Sequence, residues 1–219
     1  MNLIINELTL LRGTPVHIVG VGYIYPLTLA EIAEIGEDNF SALISLLTFE
    51  SQKSGEKDWF SSEPSQNNVL LMSWALSIVL KGKVLFSEGK YKTDKGGEIT
   101  PDNYEGLTQV IVKQYCLKET KTKSYSSDKA KKIAEKLELE KKKIKPVKNG
   151  LSFGGIISGI AAKHPSINLF NIWGLTVYQL YDQFNRLQMI DNYEMNYLAV
   201  INGAEAHNLK HWSINFKED

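Results

Sequence analysis

VHIVGVGYIYPLTLAEIAEIG, residues 16–36, is the stretch whose reading sets the class of fold. Residues 16–25 are dense in β-branched and aromatic side chains, are interrupted by Gly20 and Gly22, and stop at Pro26. That pattern predicts a strand or a bent hairpin. Thr28 and Glu31 follow at capping-box spacing, where hydroxyl and carboxylate each satisfy a first-turn amide. Leu29, Ile32 and Ile35 then line one face of a short helix that Gly36 ends. Strand and helix within some twenty residues make this part α+β.

Working outward, residues 38–49 predict a helix with Phe40, Leu43, Ile44 and Leu47 on one side. Residues 51–68 are polar, contain Gly55 and Pro64, and predict a loop. Residues 69–80 are apolar nearly all round, the pattern of a helix buried on every side. Residues 83–91 predict one strand, 94–97 a turn, and Thr100-Pro101 a helix start. That last helix turns Leu107, Val110, Ile111 and Gln114 or Tyr115 inward.

The other end is wholly helical by pattern. Residues 151–163 predict a short helix rich in small residues, and His164-Pro165-Ser166 a break. Residues 176–187 place Val177, Leu180, Tyr181, Phe184 and Leu187 on one stripe, opposite Gln179, Asp182 and Arg186. Ile190, Tyr193, Tyr197, Leu198 and Ile201 predict a further helix, closed by Asn202-Gly203. No internal repeat stands out. The expected fold is therefore α+β and predominantly α-helical, with a small antiparallel sheet in the N-terminal part.

Between these ends lies a charge block. Residues 118–148 hold twelve lysines and five acids, a net of +7, in a chain of net zero charge. Tyr125 is their only aromatic residue. Such a block predicts a solvated helix or a linker, and divides the chain into 1–117, a lysine-rich 118–149 and a helical 150–219. A weak, salt-dependent phosphate-backbone site is the alternative, but the block lacks arginines and interleaved aromatics for stacking bases.

Composition bounds the function. The 219 residues are 43% hydrophobic and 23% charged, ordinary for a globular chain. Zero net charge argues against a dedicated nucleic-acid binder. A single cysteine, Cys116, excludes an internal disulfide and multi-cysteine zinc sites, and its place between Tyr115 and Leu117 predicts a core thiol. The N-terminus, with Glu7 and no basic region, does not read as a secretory signal. A cytoplasmic protein is expected.

Catalytic patterns are missing. Gly20-Val21-Gly22 lacks the third glycine of a dinucleotide fingerprint, and Tyr25-Pro26 stand where its helix would begin. No nucleophile elbow occurs, and Asp182 and Asp191 do not share one helical face. His207 and His211 lie one turn apart near Glu205, but the glutamate precedes both histidines and Lys210 adds positive charge. The expectation is no catalytic residue, no metal and no cofactor. An enzyme using a His207/His211 metal site is the least favoured reading.

The C-terminal part is rich in large rings. Trp173, Tyr178, Tyr181, Phe184, Tyr193, Tyr197 and Trp212 fall within forty residues, more than so short a segment buries by itself. Trp173, Tyr178, Tyr181, Tyr197 and Trp212 are the expected partner-binding residues. Helical spacing turns Tyr178 outward from the stripe more than Tyr181.

Two stretches carry a resemblance: 21–36 (VGYIYPLTLAEIAEIG) and 172–187 (IWGLTVYQLYDQFNRL), the latter followed by His211-Trp212. They resemble small proteins encoded among the tail genes of phages and prophages of Gram-positive bacteria, often tail assembly chaperones. The resemblance implies a non-enzymatic protein that keeps a tape-measure or tail-tube protein assembly-competent. The expected partners are that tail protein and a second copy of the chain by self-association, with no membrane, since the longest apolar stretch, 69–80, is about half a bilayer long. A virion structural subunit of the tail or head–tail connector is the alternative. The lysine-rich segment has no counterpart in it.

Overall fold

A short helix, α1 (Glu7–Arg12), opens the computed structural model, which describes residues 5–48, 60, 65–117, 152–203 and 211–213. The Asn6 side chain accepts from Leu8 N–H at its start, and Gly13, at φ 70°, closes its end. β1 (Val16–Ile18) and β2 (Gly22–Ile24) then form the expected hairpin, Val16 opposite Ile24, with Gly20 and Gly22 at positive φ. No helix follows the glycines directly, which disposes of the phosphate-loop reading.

The Thr28–Glu31 capping box is present and starts α2 (Leu29–Ile35). α3 (Glu37–Thr48) buries Leu43 and Leu47. α4 (Gln66–Leu80) departs from expectation: Met72, Ala75, Leu76, Val79 and Leu80 are buried, but Leu70 is 62% exposed and Leu71 and Trp74 are also open. Apolar residues on every side mark burial only where neighbours exist on every side. Residues 83–91 are not one strand. β3 (Val84–Ser87) turns through Glu88-Gly89, both at positive φ, into β4 (Lys90–Thr93), the geometry of a two-residue hairpin. β5 (Glu98–Ile99) completes this second small antiparallel sheet.

α5 (Pro101–Gln114) starts with its proline at the first turn and buries Leu107, Val110, Ile111, Gln114 and then Tyr115. It also holds its neighbours by polar bonds. Tyr104 and Thr108 hydroxyls donate to the Leu47 carbonyl, satisfying the end of α3. Gln114 donates to Ile24 O, and the Tyr115 hydroxyl accepts from Leu27 N–H. Burial pushes the Tyr115 phenol far above its ordinary pKa, so it stays neutral in that bond. Cys116 is exposed at φ 52°, not a core thiol, because the chain reverses hand as it leaves α5.

α6 (Phe153–Lys163) and α7 (Val177–Ile201), joined by a 3₁₀ turn at Ile172–Gly174, form the C-terminal part. The two helices expected over 176–201 are one. Ile156, Ile157, Ile160, Ile172, Val177 and Leu180 are buried in the same hydrophobic cluster as Ile24, Leu29, Leu76 and Ile111. Main chain also joins the two ends. Thr28 and Thr176 pair as an antiparallel bridge, and Leu29 N–H donates to Leu175 O at 2.8 Å. Both threonines cap helices, Thr28 with Glu31 and Thr176 with Gln179. Leu27-Thr28-Leu29 and Leu175-Thr176-Val177 thus meet as two similar helix starts. The lysine-rich segment lies outside the described residues.

Candidate functional site

α7 is anchored at one end and bare at the other. Gln179 closes the Thr176 capping box and donates through Nε2 to Leu11 O at 2.8 Å. Val177 and Leu180 are buried, and Tyr181, Phe184 and Leu187 pack half-buried against the core, so the expected stripe holds for the first three turns. Lys163 at the end of α6 forms an ion pair with Asp191. Beyond that tie the helix loses cover. Every residue from Glu194 to Ala199 is exposed, including Met195, Tyr197 and Leu198, and Ile201 follows. Residues 188–201 span about 21 Å of helix at 1.5 Å per residue. Leaving four large apolar side chains in water along that length is uncommon without a partner.

An aromatic group lies along the same face. Tyr193 and Tyr197 stack at 6.4 Å, the His211 ring meets Tyr193 edge-on at 5.4 Å, and His211 lies 5.0 Å from Trp212. Arg186 donates to Trp212 O, which brings residues 211–213 back against the helix. Of the expected partner-binding residues, Tyr197 is 52% exposed and Trp212 42%, and these two share this face. Trp173, 38% exposed, lies apart on the 3₁₀ turn before α7. Tyr178 and Tyr181 are both half-buried, and of the two it is Tyr181 that packs against the core. Burial, and secondarily the Cys116 thiol, pushes the Tyr181 phenol up. His207 lies outside the described residues. His211 hydrogen-bonds Ser213, and among the described residues no three His, Cys, Asp or Glu gather as metal ligands.

Sequence reading missed the most exposed ring among the described residues. Phe170 is 97% exposed beside exposed Leu169, at the tip of the loop between α6 and α7. That loop is braced. His164 Nδ1 accepts from Ser166 and Ile167 N–H, Asn168 Oδ1 from Phe170 N–H and Asn171 Oδ1 from Asn168 N–H, while Asn171 donates to Ser166 O. The density of Asn, Ser and Pro around Leu169-Phe170 was the available signal.

Two cavities open among the described residues. One of about 400 Å³ lies between the β1–β2 hairpin and the β4–β5 turn, lined by His17, Tyr23, Tyr25, Asp94 and Lys95 among others. Lys95 of this lining is already engaged: it donates to the Leu80 and Lys81 carbonyls, and its ammonium lies over the Tyr25 ring, as does that of neighbouring Lys81, which pairs with Glu31 at 2.5 Å. The other, about 280 Å³, lies among α3, the end of α5, α6 and α7, and is lined by Phe40, Ile44, Leu117, Phe153, Val177 and Tyr181 with Ser41.

The fold and this surface define a helix-rich α+β protein with a bare apolar face on its last described helix. Residues 141–217 match the family model described as YomV second domain, a phage- and prophage-associated family, and that match takes in α6 and α7. No curated protein and no solved structure matches the chain. Among the described residues, no helix is long and apolar enough to cross a membrane.

Proposed function

We propose that this protein is a non-enzymatic binding factor of phage tail assembly that keeps a tape-measure or tail-tube protein assembly-competent in the host cytoplasm. The observation that carries this reading is the exposed run from Glu194 to Ala199, with Tyr197, Leu198 and Met195 unburied on a helix whose first turns are firmly anchored. Binding energy concentrates in large side chains that lose water on contact, and a rigid helix presents them at little ordering cost. The phage association of the family matching 141–217, which contains this helix, supports the setting.

The test is co-expression of the full chain with the tape-measure protein, and separately the tail-tube protein, of the same phage or prophage. Tyr197→Ala combined with Leu198→Ala should weaken co-purification at least about tenfold, the scale of a hot-spot loss, with an unchanged melting temperature. Capture that survives the double substitution would refute this use of the helix. Recovery of the protein in purified virions would point to a structural subunit instead.

A further inference from the structure

We propose that the cleft between the β1–β2 hairpin and the β4–β5 turn binds the guanidinium group of an arginine side chain presented by another chain. The rings of this cleft already hold cations. The ammoniums of Lys81 and Lys95 lie 5.6 and 5.5 Å from the Tyr25 centroid, the arrangement in which an aromatic face attracts positive charge. Tyr23, two residues earlier and thus on the same side of the extended chain, lines the same cleft. It rests against His17 at 4.9 Å and is 54% exposed, so its ring is open to a ligand.

One charge of the cleft is left over. Lys81 pairs with Glu31, and Lys95 is held by the Leu80 and Lys81 carbonyls at the C-terminal end of α4, where the helix dipole is negative. The Asp94 carboxylate takes part in no hydrogen bond or ion pair among the described residues. It is nevertheless held in place: Asp94 N–H donates to Lys83 O, and Oδ1 lies so close to Gly82 that a Cβ there would stand 2.6 Å from it. A guanidinium suits both halves of the cleft. It is flat, so it stacks on a tyrosine face, and its paired N–H groups match a carboxylate as a compact ammonium does not. Glycine main chain supplies much of the remaining wall, and a Cβ at Gly22 or Gly96 would meet nothing within 4 Å, which leaves about 400 Å³ open to a planar group. The residues lining the cleft, and those beside them in sequence, are all described. The site is separate from the Tyr197 face, so either proposal can fail alone.

Titration of the full chain with N-acetyl-arginine amide, followed by nuclear magnetic resonance at the Gly20, Gly22, Gly96 and Gly97 amides, tests it. These amides should shift saturably, with a Kd on the order of 1–10 mM. The citrulline analogue, which has the same shape without the charge, should leave them in place, and the lysine analogue should bind more weakly. Asp94→Asn removes the charge, and Gly82→Ala displaces the carboxylate while keeping it. Each should weaken binding about tenfold, as loss of a hydrogen bond to a charged group does. Tyr23→Leu should weaken it and Tyr23→Phe preserve it, with melting temperatures within a few degrees of wild type. Tyr197→Ala should leave the affinity unchanged. Absence of saturable shifts, equal binding of the citrulline analogue, or full affinity in Asp94→Asn would each overturn the proposal. A lysine analogue that binds as tightly would overturn the guanidinium assignment, and shifts caused by inorganic phosphate instead would mark an anion site and overturn it altogether.

Discussion

Gly97→Ala should be among the most damaging single-methyl additions in this protein. A Cβ at residue 97 would stand 2.0 Å from Val21 O and 2.8 Å from Val21 C, main-chain atoms with no side-chain freedom to yield. Reaching even 3.0 Å requires a retreat of about 1 Å by β5 or by the hairpin. That movement takes the Glu98 N–H bond to Gly20 O, now 2.8 Å, beyond hydrogen-bond range. It also loosens the turn, where Gly97 N–H donates to Thr93 Oγ1 and Gly97 O accepts from Thr93 N–H. A stranded amide costs about 1–3 kcal/mol and overpacking a further 1–3 kcal/mol or so. The expected loss is thus about 2–6 kcal/mol, or roughly 4–24 °C in melting temperature at 2–4 °C per kcal/mol. Gly96→Ala is the control: its φ of 82° is strained for alanine, but nothing lies within 4 Å, so only about 1–2 kcal/mol is expected. Thermal unfolding followed by circular dichroism decides. Gly97→Ala melting at or above Gly96→Ala would refute the close approach of hairpin and β5.

Three further outcomes follow from the packing. Cleavage at a site-specific protease sequence inserted after Thr120 should leave both pieces eluting together on native gel filtration, because Ile156, Ile160, Ile172 and Leu180 share the core of the first 117 residues; separate elution would show otherwise. Tyr115→Phe should lower stability by about 1–3 kcal/mol in denaturant titration, since buried Leu27 N–H loses its acceptor, and a neutral result would mean that water replaces the hydroxyl. Burial alone would raise Glu31, but hydrogen bonds from Lys81 and Thr28 outweigh it and hold the carboxyl below its ordinary 4.5; stability from its ionised form is therefore present above that value and lost as pH falls through the lowered one, so the advantage over Glu31→Gln should shrink below about pH 4.5, and a pH-independent difference would exclude the charge.

What the sequence disclosed and what it hid follow one physical division. Thr28 and Glu31 were legible because a capping box is complete within four residues, as were Pro101 and the inward face of α5. The Glu88-Gly89 turn was not, since residues 83–91 lack an Asn-Gly or Asp-Gly pair and read as one strand. The stripe over residues 176–187 and the set from Ile190 to Ile201 read as two helices, yet α7 runs through both without interruption. Tyr197 and Trp212 were named from ring density alone. Phe170 was missed because its exposure depends on how a braced loop stands relative to the core. The exposed flank of α4 and the Thr28–Thr176 bridge are likewise properties of the assembled chain.

That bridge imposes an order on biosynthesis. Gln179 reaches the Leu11 carbonyl across 168 residues of sequence, and Leu29 N–H waits for Leu175 O. Both partners leave the ribosome after most of the chain has been made. Until then the N-terminal hairpin and α2 lack the strand-like clasp at Leu29 that finishes them. Long-range closure of this kind slows folding, and the unfinished intermediate offers an apolar surface to other chains. A nascent chain arrested before residue 175 would be the form of this protein most in need of a chaperone.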